Sequence, residues 1–249
     1  MPRSTAPLST PTTNASRPVP RRRPGHALAT LGLLAGVTSA LPVRAATIDD
    51  ELVWGAWFNT ATLSDRLSVI SDLQVRSSDN ADQVRNVLAR AGLAWQLDDR
   101  HQIAAGYAHV ITHPDSGDSL TEQRTWQQLS RRDTVASLPL THRLRLEQRR
   151  IELASGDTTT SDRLRYMVRT TLPLSGPNYV ALQNEIFLTL SGREALNDRV
   201  FDQNRAYAGL GRKFSPSVDA EVGYLNQWLQ GRADDTRNHV LQVALITRW

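Results

Sequence analysis

From Leu52 to the final residue, apolar and polar side chains alternate in blocks of about a dozen residues separated by Gly, Pro, Asp and Ser. A period of two places alternate side chains on opposite faces of an extended strand. In Arg66–Arg76, Leu67, Val69, Leu73 and Val75 share one face and Asp72, Gln74 and Arg76 the other. Val84–Leu97 sets Val87, Leu93 and Trp95 against Asn86, Arg90 and Gln96. Thr141–Leu153 sets Leu144 and Leu146 against Arg143, Arg145, Glu147 and Arg149, and Asp162–Leu172 sets Leu164, Tyr166 and Val168 against Arg163, Arg165 and Arg169. Asn178–Leu190 and Val218–Leu229 repeat the pattern, with Glu185 and Glu221 on their polar faces. His101–Thr112 and Phe201–Lys213 are less regular, and Glu122–Arg132 is the most polar segment. The last strand, His239–Trp249, carries Leu241, Val243, Leu245, Thr247 and Trp249 on one face.

Connections carry a second pattern. Short turns near residues 98–100, 133–140, 173–177 and 214–217 alternate with longer polar loops near 113–121, 154–161, 191–199 and 230–237, and a further polar loop spans 77–82. Bacterial outer-membrane barrels have this arrangement, with short turns in the periplasm and long loops outside. The expected fold is therefore all-β: an antiparallel transmembrane up-and-down β-barrel of roughly 10 to 12 strands. Arg66 onward supplies about ten strands, and Leu52–Asn59 is left either to pair as an extra strand with another not identified in the sequence, giving an even twelve, or to pack inside. An aromatic residue closing an alternating final strand resembles the C-terminal assembly signal of such barrels. The resemblance implies that Leu241, Val243, Leu245 and Trp249 are read by a barrel-assembly machinery.

Residues 1–45 are a separate region, with residues 46–249 expected to form the barrel. The first part is rich in Pro, Ser, Thr and Arg; Arg21, Arg22 and Arg23 then precede an apolar run from Ala27 to Leu41. Val43-Arg44-Ala45 follows, so the region is expected to be a disordered leader and signal peptide cleaved near Ala45. The formal charge of +4 belongs to it: six Arg and no acid lie in the first 45 residues. The rest of the chain is slightly acidic, which removes the case for nucleic-acid binding. The absence of Cys excludes disulfides, thiolate metal sites and a Cys nucleophile. The scattered His residues suggest no metal, and no cofactor is expected. Lys213 is the only Lys, so the polar faces rely on Arg, which pairs with carboxylates through two parallel bonds.

The run Phe201-Asp202-Gln203-Asn204-Arg205-Ala206-Tyr207-Ala208-Gly209-Leu210-Gly211 is followed by Glu221-Val222-Gly223-Tyr224-Leu225-Asn226-Gln227 and by Asn238-His239. With Arg163-Leu164-Arg165-Tyr166 and Glu185-Ile186-Phe187, it resembles domain-of-unknown-function family 2490, a bacterial family. The resemblance covers roughly residues 52–249. It implies an outer-membrane barrel and supplies no reaction, substrate or catalytic residue.

Arg145, Glu147, Arg163, Arg165, Arg169, Glu185, Arg205 and Glu221 all fall on the face assigned to the lumen. The expected reading is an interior ion-pair network filling a narrow barrel. The sharper one is a small pore or anion site lined by Arg. Gly209 and Gly211 are expected to let a large side chain such as Tyr207 pack across them. A barrel-type lipid hydrolase or deacylase would need Ser, His and an acid brought together. His142, His239, Ser130, Ser137 and Ser191 are available but form no motif. The expected protein is thus an outer-membrane barrel, monomeric among outer-membrane lipids, either structural or a narrow channel. A lipid-modifying hydrolase and a soluble periplasmic β-barrel binding module are the alternatives.

Overall fold

A computed structural model describes residues 47–249, apart from residues 79, 80 and 115. The leader and its cleavage point lie outside the described residues, as does the centre of the 77–82 loop. The strands are β1 (Thr47–Thr62), β2 (Leu67–Ser78), β3 (Gln83–Gln96), β4 (His101–Thr112), β5 (Leu120–Val135) and β6 (Leu138–Glu152). They continue with β7 (Thr158–Pro173), β8 (Asn178–Thr189), β9 (Phe201–Ser215), β10 (Val218–Leu229) and β11 (Asp235–Arg248). Each strand pairs antiparallel with its sequence neighbour, and β1 meets β11 to close the barrel.

The closing pair is parallel, running from Thr47 opposite Asp235 to Thr60 opposite Arg248. The even count expected from antiparallel closure is therefore not met: the described residues form eleven strands. Leu52–Asn59 needs no missing partner, because it lies within β1 and pairs with β11 throughout and with β2 from Trp54 onward. Parallel pairing is slightly weaker per residue than antiparallel, and side chains reinforce this seam. Trp57 Nε1 donates to Thr247 Oγ1 at 2.9 Å, and Thr247 Oγ1 donates to Asn59 Oδ1 at 2.8 Å. Thr247 faces outward yet is buried, because Trp57 and Asn59 cover it.

Following hydrogen-bonded partners once around the barrel from Thr62 leads through Ala94, Arg145 and Phe187 and returns to Ile48 of the same strand. This stagger, nearly the length of β1, requires strongly tilted strands. The rims differ. Connections at 63–66, 97–100, 136–137, 174–177 and 216–217 share one rim; those at 113–119, 153–157, 190–200 and 230–234 share the other. The turn expected at 133–140 shrinks because β5 and β6 extend to Val135 and from Leu138.

The polarity is inside-out for a protein in water. Leu93, Leu144, Tyr166, Leu210, Val222, Val243 and Leu245 are exposed on the outer wall, whereas Glu147, Glu185, Arg145, Arg163 and Arg165 are buried within. Glycines make room for the inner aromatics. Trp126 packs against Ala94, Ala104 and Ala108, and a Cβ at Gly92 or Gly106 would collide with its ring. Tyr207 likewise crosses Gly209 and Gly223, and Tyr179 crosses Gly211.

Candidate functional site

Side chains inside the barrel come from one face of every strand, so the tilted register decides which charges meet. Toward the long-loop rim, Glu122 accepts two bonds from Arg124 (2.5 and 2.9 Å) and two from Arg149 (2.5 and 3.1 Å). Arg124 is two residues along β5 from Glu122, and Arg149 comes from neighbouring β6.

A longer chain of charges crosses β6–β9 below it. Glu147 Oε2 accepts from Arg163 Nε at 3.0 Å and Nη2 at 2.7 Å, while Oε1 accepts from Arg165 Nη1 at 2.7 Å. Arg163 also reaches Asp202 at 3.3 Å. Arg165 continues to Glu185, 2.8 Å from its Nη2, and Glu185 accepts from Arg143 Nη2 at 2.8 Å. Phe187 lies beneath the guanidinium groups of Arg163, Arg165 and Arg205, with the Arg165 carbon 4.4 Å from the ring centroid. Buried pairs of this kind cost about as much to desolvate as they return, but removing one partner leaves a charge stranded.

This layer fills the long-loop half. Leu52, Leu88, Val110, Trp126, Glu147, Thr189, Gln203, Gln227 and Val240 are buried inward-facing residues distributed around the wall. The short-turn half is hollow. A cavity of about 660 Å³ runs from Pro139, Gly176 and Lys213 up to Arg90, Arg165 and Arg205. In it Glu221 accepts from Arg169 and from Tyr179 Oη at 2.9 Å, and Asp219 accepts from Arg248 at 2.9 Å.

All eight lumen residues singled out from the sequence lie on this inner face. Glu147, Arg163, Arg165 and Glu185 join in one network; Arg169 and Glu221 form a separate pair. Arg145 and Arg205 have no carboxylate within ion-pair distance among the described residues. Arg145 bonds Gln128 and stacks on Trp126; Arg205 bonds Gln203. Sequence reasoning left out Glu122 and Arg124, the ion pair of Asp72 with Arg90 at 3.4 Å, and the clamp of Arg143 on Glu185. The i, i+2 series Glu122, Arg124, Trp126, Gln128 was the signal for the first pair.

Leu241, Val243 and Leu245 project from the outer wall, and Trp249 is exposed beyond β11. The hydrolase residues are dispersed. His142 bonds Tyr166 Oη at 2.8 Å and His239 bonds Tyr224 Oη at 2.6 Å, both on the outer wall. Ser130 pairs with Gln128 inside, and Ser191 donates to Asp162. A Ser–His contact among the described residues, Ser119 with His113 at 2.8 Å, is exposed in the β4–β5 loop. Among the described residues no ion pair links that imidazole to an acid.

The fold and site define a closed β-barrel with an apolar exterior and an ion-paired interior. Residues 51–238 match the family described as protein of unknown function (DUF2490), and the chain belongs to it. An uncharacterized protein of Methylorubrum extorquens is 27% identical over 232 residues, spanning 89% of this chain and 96% of that one. A solved structure of the NanC porin is similar at 16% identity and a TM-score of 0.48, covering 75% of this chain and 93% of that chain.

Proposed function

We propose that the protein is an outer-membrane β-barrel whose lumen is closed in its outer half and opens as a cationic cup toward the periplasm. The inverted polarity carries this reading. A barrel in water turns apolar faces inward, whereas one in lipid presents them to hydrocarbon and keeps charge inside. Trp57, Trp95, Phe214 and Trp249 are exposed large aromatics grouped toward the short-turn rim, suited to the membrane interface there. In this orientation the short turns and Trp249 face the periplasm. The leader directs export, and the last strand is the part read by the assembly machinery. The protein acts as a monomer, and its sealed half makes it a structural, non-conducting barrel at rest rather than an open porin.

Planar-bilayer recording tests the seal. The purified protein is expected to insert without conductance steps, while Phe187→Ala combined with Arg163→Ala, which removes the aromatic and one arm of the plug, is expected to conduct. Steady conductance by the unaltered protein would refute the closed lumen. Extraction without detergent, lacking heat-modifiable gel mobility, would refute the membrane assignment.

A further inference from the structure

The carboxylates of the cup are already engaged: Glu185 by Arg143 and Arg165, Glu221 by Arg169, and Asp219 by Arg248. Arg76 and Arg205 stand outside this pairing, with no carboxylate at ion-pair distance among the described residues. Each is oriented by a neutral acceptor instead. Arg76 Nη2 donates to Gln74 at 2.6 Å and Arg205 Nε to Gln203 at 3.0 Å, which fixes the forks without neutralising them. Both guanidinium groups lie over the Trp54 ring, their carbons 4.4 and 5.1 Å from its centroid. Trp54, itself 6% exposed, has an indole N–H without an acceptor, and Arg76 Nε and Arg90 Nε are further buried donors without one. All four side chains line the same cavity, whose wall carries eight basic side chains against three carboxylates.

We infer that the head of this cup, around Arg76, Arg205 and Trp54, binds a small organic anion carrying carboxylate or phosphate groups. Enclosed cations without a counter-charge are costly, and an oxyanion would satisfy both forks and the indole N–H together. Guanidinium groups bind such oxygens through two parallel bonds. The cavity volume is that of a small-molecule site. The inference rests on the reading of the cup as open to the periplasm, because the ligand enters from that side.

Calorimetric titration of the full-length barrel in detergent tests it, with citrate and pyrophosphate as probes and neutral raffinose as control. At least one anion is expected to bind, about tenfold more weakly in high salt, while raffinose does not. R76Q/R205Q should weaken binding at least tenfold. Trp54→Phe, which keeps an aromatic face, though a smaller one, and removes the N–H, should weaken it several-fold and decides the matter if the double variant loses its heat-modifiable mobility. Absence of heat with both anions, or unchanged affinity in the variants, overturns the site. A barrel that conducts yet binds citrate through Arg76 and Arg205 keeps the site and refutes only the sealed lumen. A silent barrel indifferent to both anions refutes the site alone.

Discussion

Glu147 is the most informative residue to alter, because its fully buried carboxylate holds two guanidinium groups. Glu147→Gln keeps the shape and removes the charge. The amide oxygen can still accept from one arginine, but its NH2 then faces the donors of the other. At least one charge-assisted bond is lost, about 1.5–3 kcal/mol. Breaking a buried pair outright costs about 3–5 kcal/mol. Here the loss is moderated because Arg163 retains Asp202 and Arg165 retains Glu185. The expected destabilisation is therefore about 3 kcal/mol, on the order of a hundredfold in the folded-to-unfolded ratio. Reversible urea unfolding in lipid vesicles, followed by tryptophan fluorescence and gel mobility, measures it against Glu194→Gln on the exposed β8–β9 loop. A cycle with Arg163→Gln should show coupling of about 2 kcal/mol, since removing both partners leaves less charge stranded. If Glu147→Gln proves as harmless as Glu194→Gln, the network does not hold the plug together and the account of the sealed half fails.

Three further outcomes follow from particular contacts. Gly106→Val should cost about 1–3 kcal/mol and shift the Trp126 signal in near-ultraviolet circular dichroism, because the new side chain meets the indole ring and the β3 backbone. Trp249→Ala should slow assembly in cells while leaving the refolded barrel's unfolding midpoint unchanged, since the residue's backbone bonds to Thr60 and Thr62 remain; an equal loss in both assays would make Trp249 a structural residue rather than a signal. Asp98, in the β3–β4 turn, has its carboxyl lowered to about 2 by the His101 side chain and by backbone N–H groups of Arg100 and His101. A depressed folded-state value adds stability above the unfolded value of 3.8, lost as pH falls through about 2. Asp98→Asn should therefore narrow the stability difference between pH 5 and pH 2, and an unchanged acid limb would discount these bonds.

Facing was legible in the sequence and pairing was not. The alternation in β6, β7, β8, β10 and β11 assigned Arg145, Arg165, Glu185, Glu221 and Val243 to their sides, because a period of two is a local property. β5 escaped for a physical reason: Gln123, Thr125 and Gln127 on its outer face are as polar as Glu122, Arg124 and Gln128 within, so contrast between faces disappears. Thr247 was assigned to the correct face, yet its burial depends on Trp57, far away in sequence and brought beside it only by closure. Closure itself left no local trace. Antiparallel hairpins explain every sequential contact, and a count restricted to hairpins comes out even. Residues 47–62 look the same whether they pair antiparallel with an unseen strand or parallel with β11. What selects β11 is the stagger of the whole sheet, which brings Ile48 round to Thr236 and leaves one strand edge facing another of the same direction. The same stagger determines that Glu147 meets Arg163 and Arg165 while Arg205 has no carboxylate at ion-pair distance among the described residues. The composition of the lumen could thus be read from single strands, whereas its division into a half packed with buried side chains and a half holding an Arg-lined cavity arises only when the eleven described strands are closed.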